Sequence, residues 1–302
     1  MKWILVAVAV VAVVGGLIYA SQRDDGSVSD GPPSITWEVI TSDLVDLGLD
    51  RAFQVDGDPH GVFLASVEDR LYEVDRGGVI TWALRASAPI GGCFWASDSR
   101  IGFWVEGNGL YVVDRSGDVM WKCMDEHLLC AAPSAWDDVT RAVVGTDNGL
   151  VYGTYRGSVE WEADLGSSGE GKEKVLWIST EEGRHVALVE ERNDAVLVYP
   201  DGTVGEQWSS LPFGTSMVDL MPSGGILVCC PETVVELKPD GVVMWEYSGV
   251  ELVQCHRLPT GSTMMVDSMG EITAIAPNEY PMWRAQADNV SCVRWSLNGG
   301  AM

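Results

Sequence analysis

The chain has 302 residues, with 44 acidic against 19 basic side chains and a net charge of −25. Nucleic acid is a poor partner for such a surface, because phosphate binding needs concentrated Lys and Arg, and an anionic bilayer surface is disfavoured for the same reason. The cysteines number seven, and an odd count does not read as a disulfide framework.

Taken in order, the first element is an apolar run of 18 residues from Trp3 to Ala20, interrupted only by Gly15 and Gly16. It exceeds the usual core of a cleaved signal and approaches the ~20 residues needed to span a bilayer. Ile18 occupies the place where a cleavage site favours a small side chain. Residues 1–20 are therefore expected to form an uncleaved signal anchor, a hydrophobic transmembrane helix, with a cleaved signal peptide as the alternative. Lys2 stays inside by the positive-inside tendency, which places the rest in the periplasm or outside the cell. Residues 21–34, rich in Ser, Asp, Gly and Pro, read as a flexible tether. Residues 35–302 remain for one large repeat domain.

The repeat is carried by tryptophan. Trp37, Trp82, Trp121, Trp161, Trp208, Trp245 and Trp283 follow one another at intervals of 45, 39, 40, 47, 37 and 38 residues. Their surroundings agree as well. Leu71-Tyr72-Glu73-Val74-Asp75-Arg76-Gly77 leads to Trp82, Leu110-Tyr111-Val112-Val113-Asp114-Arg115-Ser116-Gly117 to Trp121, and Lys238-Pro239-Asp240-Gly241 to Trp245. Each copy alternates through a short strand, turns at a glycine that supplies positive φ, and returns in a strand bearing the tryptophan. A second hairpin lies upstream, clearest at Cys255 to Val266 around Pro259-Thr260-Gly261. Four strands in about 40 residues form a sheet that cannot bury both faces alone, so copies must stack around an axis.

The pattern predicts an all-β chain, a β-propeller of about seven four-stranded blades preceded by the N-terminal hydrophobic helix. Six blades are complete in this reading. The seventh is closed by both termini, because Ile35-Thr36-Trp37 looks like the end of a repeat and Asn289 to Trp295 like a beginning. A six-bladed ring with a loose seam is the alternative.

The motif Leu-Tyr-x-Val-Asp-x-x-Gly-x-x-x-Trp resembles the repeat of quinoprotein-like (PQQ-like) β-propellers. The stretch His256-Arg257-Leu258-Pro259-Thr260-Gly261-Ser262-Thr263-Met264-Met265 is similar to blades of arylsulfotransferase-like propellers. The resemblance runs over nearly all of residues 35–302 and is carried by turn formers and packing tryptophans. It implies the architecture. The superfamily includes dehydrogenases, sulfotransferases and non-catalytic assembly scaffolds, and the fold does not choose among them.

Each implied chemistry has a residue to test. Quinoprotein dehydrogenases carry a disulfide between adjacent cysteines, and Cys229-Cys230 is such a pair here; the competing reading is the end of a blade strand. Arylsulfotransferase-like enzymes use a channel histidine. Of His60, His127, His185 and His256, only His256 falls at an inner-strand position, so it is the one catalytic alternative; its neighbour Arg257 points to the other face. Cys93, Cys130, Cys255 and Cys292 recur 11, 9, 10 and 9 residues after a repeat tryptophan, which places them on innermost strands. They read as small apolar side chains near the axis, or as a thiol-lined site. Asp147-Asn148-Gly149 and Asn193-Asp194 read as turns rather than calcium loops. No cofactor or metal is predicted.

The expected function is a membrane-tethered, extracytoplasmic, non-catalytic protein-interaction scaffold. It would hold a protein or peptide partner, a membrane complex among the candidates. Residues 162–177 and Asp56 to His60 are the candidate contact loops. The alternatives are an enzyme built on His256, and a propeller binding a quinone or another small ligand.

Overall fold

The computed structural model describes residues 35–39, 54–56, 62–74, 79–97, 99–134, 140–165, 173–181, 183–190, 192–258, 261–286 and 290–296. The expected anchor (1–20), the tether (21–34) and His60 lie outside the described residues. Among the described residues no helix is long and apolar enough to cross a membrane.

Every described element is a strand. Two short ones come first, β1 (Trp37–Val39) and β2 (Gln54–Asp56). Then follow β3 (Val62–Val67), β4 (Arg70–Val74) and β5 (Ile80–Ala86). Four meanders continue the chain: β6 (Gly92–Ser97) to β9 (Val119–Met124), β10 (Leu128–Pro133) to β13 (Ser158–Asp164), β14 (Val175–Glu181) to β17 (Val204–Trp208), and β18 (Met217–Leu220) to β21 (Val243–Ser248). The strands inside them are β7 (Arg100–Val105), β8 (Gly109–Asp114), β11 (Arg141–Thr146), β12 (Leu150–Tyr155), β15 (Arg184–Val189), β16 (Asp194–Val198), β19 (Ile226–Cys230) and β20 (Thr233–Leu237). The chain closes with β22 (Leu252–Arg257), β23 (Thr263–Asp267), β24 (Glu271–Ile275), β25 (Pro281–Gln286) and β26 (Val290–Ser296).

These strands build six sheets, not seven. Trp37 does not end a blade of its own: β1 lies antiparallel on the outer edge of β5, with Trp37 opposite Ala86. The strands β3, β4 and β5 lack an inner neighbour in sequence, and β26 supplies it, with Val293 opposite Ala65. The C-terminal half-repeat is thus a beginning, as its sequence implies, but the blade it begins is the one ending at Trp82. The remaining short strand, β2, adds to the outer edge of β25 in the last blade. Pairing decides the count. A lone tryptophan strand satisfies its backbone on an existing sheet edge, whereas a seventh sheet would need three more strands.

Position in the ring explains the hydropathy of each strand. In β6, β7 and β8 nearly every residue is buried, because neighbouring blades cover both faces. The outer β9 alternates, burying Trp121 and Cys123 and exposing Val119, Met120, Lys122 and Met124. The repeat tryptophans Trp82, Trp121, Trp161, Trp208, Trp245 and Trp283 all lie on the outermost repeat strand of a blade.

Trp82 and Trp208 show what the ring is for. Each donates its indole Nε1–H to a carbonyl in the next blade's outer hairpin, Trp82 to Arg115 and Trp208 to Lys238, both at 2.9 Å. The bond adds direction to an apolar contribution of about 4–6 kcal/mol for a buried indole before entropy is subtracted.

That hairpin is held close by glycine. Gly157 has φ of 85°, and a Cβ there would lie 2.0 Å from the carbonyl oxygen of Lys122 on the preceding blade. Blades meet backbone to backbone at this point, and only glycine allows it.

Candidate functional site

The innermost strands are β26, β6, β10, β14, β18 and β22. The structure places Cys93 on β6, Cys130 on β10, Cys255 on β22 and Cys292 on β26, all innermost strands. Cys130 and Cys255 make separate contacts. The Cys130 thiol donates to the Val175 carbonyl at 3.4 Å. Cys255 faces Cys229 of the neighbouring blade, and burial pushes the Cys255 thiol well above its ordinary range. Among the described residues no group of three His, Cys, Asp or Glu side chains is arranged to hold a metal.

Cys229 and Cys230 end β19 as free thiols. Adjacent residues of an extended strand point to opposite faces. Cys229 accordingly meets Cys255, and Cys230 lies 3.6 Å from the Thr215 hydroxyl.

His256 has a definite setting. It is 7% exposed, and its Nδ1 lies 3.3 Å from Asp219 Oδ2 on β18. Asp219 Oδ1 in turn accepts a hydrogen bond from the Ser179 hydroxyl on β14. Ser179, Asp219 and His256 thus run across the inner strands of three consecutive blades. The Trp177 ring lies 6.3 Å from the imidazole, tilted by 40°. His256 Nε2 is buried without a hydrogen-bond partner among the described residues. An Asp–His pair of this kind orients an imidazole and fixes its tautomer; here the nitrogen that would meet a substrate is enclosed.

Arg257 turns to the other side, as the strand dictates. It reaches Glu236 Oε2 at 2.5 Å, and its guanidinium stacks 4.9 Å from the centre of the Trp245 ring. The other described histidines stand elsewhere. His127 Nδ1 lies 2.9 Å from Asp147 Oδ1 at the surface, and His185 is fully buried on β15. Asp147-Asn148-Gly149 is a hairpin turn, with Gly149 at φ of 83°.

The second candidate is a face rather than a cavity. In a four-stranded meander the second hairpin turn and the link to the next blade share one end. Hydrogen bonds join these loops over the last blades. Asn193 Nδ2 donates to the carbonyls of Leu211 and Pro212 at 2.7 and 2.9 Å. Gly249 N donates to Glu232 O and Leu252 N to Pro231 O, both at 2.9 Å. Ser268 N donates to Glu251 O at 2.8 Å, and Ser268 Oγ to the Glu251 carboxylate at 2.6 Å. Asn193, Ser210 and Glu251 hold left-handed backbone at φ of 51°, 61° and 52°, conformations that surrounding structure must stabilise.

This framework presents apolar side chains to water. Phe213 is 99% exposed, Val250 77% and Met269 71%. Glu190, Glu232 and Glu251 stand exposed among them. A groove of about 680 Å³ begins beside Phe213 at Leu211 and Pro212. It runs between two blades past Trp208 and Leu237 to Pro239 and Gly241.

Sequence reasoning missed this face. The signal was present: Pro212-Phe213-Gly214, Gly249-Val250-Glu251 and Ser268-Met269-Gly270 each set a large apolar residue among turn formers. Of the expected contact loops, 162–177 links two blades at this same end, with 166–172 outside the described residues. In the other, only Asp56 is described, at the end of β2.

No protein-family model matches the chain, and none of the curated proteins does. Solved structures are similar in fold. A protein of unknown function from Bacteroides caccae aligns with a TM-score of 0.60 at 14% identity, over 77% of this chain and 97% of that one. BBS1N, solved in complex with ARL6DN, aligns with a TM-score of 0.55 at 11% identity, over 82% of each chain. The WD40 β-propeller domain of Doa1 aligns with a TM-score of 0.55 at 10% identity, over 74% of this chain and 75% of that one. At these identities the likeness concerns the fold, and the fold of this chain is a six-bladed β-propeller.

Proposed function

We propose that this propeller is a non-catalytic interaction scaffold, tethered to a membrane by residues 1–20 and exposed outside the cytoplasm, which holds a protein partner on its loop face. The observation that carries the reading is the bonding of the inner-strand side chains. Ser179, Asp219 and His256 bond to one another across three blades, and Cys130 bonds to the Val175 carbonyl of the next blade. Side chains that would serve chemistry in an enzyme are used to hold blades together. The apolar run from Trp3 to Ala20 supports the tether. The Leu-Tyr-x-Val-Asp-x-x-Gly repeat supports kinship with quinoprotein-like propellers, whose members include assembly scaffolds. Among the fold neighbours, BBS1N was solved in complex with ARL6DN.

The test is isolation of the full chain from membranes in mild detergent. A stoichiometric protein partner is expected, and recovery as a lone monomer refutes the scaffold. Deletion of residues 1–34 should move the chain from the membrane to the soluble fraction; unchanged fractionation refutes the tether.

One observation favours a second reading. The Asp219–His256 pair has the form of an oriented base, with Nε2 left without a hydrogen-bond partner among the described residues. An enzyme of the arylsulfotransferase-like kind would need that nitrogen exposed. Modification of His256 by diethyl pyrocarbonate in the folded chain would support it, and protection until unfolding would end it.

A further inference from the structure

We infer that the loop face over the last two blades docks a protein segment whose apolar side chains are flanked by lysine or arginine. The inference rests on the scaffold reading and names the surface and the chemistry of its partner.

Three observations converge. The first is the apolar tips themselves. Phe213, Val250 and Met269 are the large hydrophobic residues exposed in the described loops of this face. An isolated exposed side chain is ordinary, but loops joined to one another and each ending in an apolar tip form a surface from which water is gained on docking. The second is pre-organisation. Asn193 fixes the carbonyls beside Phe213, Pro231 and Glu232 fix the backbone on either side of Val250, and Glu251 fixes the turn of Met269. Loops held in this way lose little entropy when a partner binds. The third is charge. Glu232 and Glu251 are exposed between the tips, on a chain of net charge −25, while Glu190 pairs with Lys174 at 3.3 Å.

The charge decides the occupant. A second copy would bring the same carboxylates against each other, and an anionic membrane surface would be repelled. A segment with Lys or Arg beside its apolar anchors pairs its charges with Glu232 and Glu251 while the anchors cover Phe213, Val250 and Met269. The groove that begins at Leu211 and Pro212 gives such a segment room to continue beyond Phe213.

The experiment uses the purified full chain in detergent and an array of synthetic peptides. Each peptide carries two Leu or Phe residues flanked by Lys, by Ser or by Glu. Two variants accompany the wild type: one with Phe213→Ser, Val250→Ser and Met269→Ser, the other with Val242→Ser and Tyr280→Ser on hairpins at the opposite end of the blades. All these positions are exposed, so unfolding temperatures should match, and a variant that fails this control is replaced by its single substitutions. Lys-flanked peptides are expected to bind best and to weaken as salt rises. The loop variant should bind them roughly tenfold less tightly or worse, with the opposite-end variant unchanged. Equal loss in both variants, no loss in the loop variant, or a preference for Glu-flanked peptides overturns the proposal. So does loop-dependent binding to phosphatidylcholine vesicles or loop-dependent self-association in sedimentation, in the absence of peptide binding. The scaffold reading is separable. A membrane partner that the loop variant still retains overturns this surface alone, whereas no partner for either form overturns the scaffold.

Discussion

His185 should make the propeller sensitive to mild acid. It lies on β15, fully buried, with Nδ1 3.1 Å from the Thr180 hydroxyl and its ring stacked 5.6 Å from that of Trp161. Its Nε2 is buried without a hydrogen-bond partner among the described residues. A charged imidazole there would lose its hydration, and burial accordingly pushes its pKa down from 6.5 to about 4. The unfolded chain binds the proton more readily than the folded one. The stability that comes from keeping His185 neutral is therefore fully present above pH 6.5 and is lost as pH falls through about 4. At about 1.4 kcal/mol per pH unit, the full loss is about 3 kcal/mol, and roughly 2–3 kcal/mol is gone by about pH 4.5. Carboxylates also titrate in this range, so the measurement must be a difference. Urea unfolding of the wild type and of His185→Asn, which keeps a group able to bond Thr180, should be compared at pH 7 and at pH 4.5. The wild type should lose about 2–3 kcal/mol more than the variant. Equal losses would refute the reasoning. So would an imidazole proton resonance of His185 that titrates at or above pH 6.5 in the folded chain, a readout that does not depend on the variant folding.

Other consequences follow from the blade contacts. Trp208→Phe removes the donor to the Lys238 carbonyl, and should cost about 1 kcal/mol more than Trp245→Phe, because Trp245 Nε1 has no partner among the described residues; thermal unfolding of the two variants measures the difference. Gly157→Ala and Gly241→Ala both force a side chain onto left-handed backbone, at φ of 85° and 79°. Gly241 has nothing within 4 Å of the added Cβ, so its cost should be about 1–2 kcal/mol. Gly157 must also displace the Lys122 carbonyl, and should cost several kcal/mol or prevent folding; comparable urea midpoints for the two would be the wrong result. Truncation after Asp288 removes β26, the inner strand of the first blade. It should leave a chain that unfolds without a cooperative transition, and a synthetic peptide of residues 289–302 added in trans should restore part of the transition.

The propeller was legible because its local rules repeat. The outer hairpins close on a residue of positive φ, glycine at Gly117, Gly157, Gly202 and Gly241 and glutamate at Glu279, and the following strand carries an indole, so both leave a period in the chain. The same period puts Cys93, Cys130, Cys255 and Cys292 at equivalent places in their repeats, and all four lie on innermost strands. It could not assign Trp37. A strand ending in Ile-Thr-Trp looks alike whether it finishes its own sheet or lies on the edge of another, and backbone hydrogen bonds carry no signature in side-chain order. The pairing of β1 with β5 and of β26 with β3 is a long-range matter, set by which edges remain open once the ring has closed.

The candidate surface divides in the same way. Composition speaks only to the class of partner: 44 acidic against 19 basic residues disfavour a phosphate-bearing one. The sequence also held His256 at an inner strand, but not its enclosure by Asp219 and Trp177, which come from the two preceding blades. Phe213, Val250 and Met269 are separated by 37 and 19 residues, and no window of sequence joins them. They belong to one face because alternate ends of antiparallel strands fall on alternate sides of the ring, and because loops from successive blades exchange hydrogen bonds there. Residues along a chain reveal the blade that each one builds; which blades meet, and what they present together, depends on closure of the whole ring.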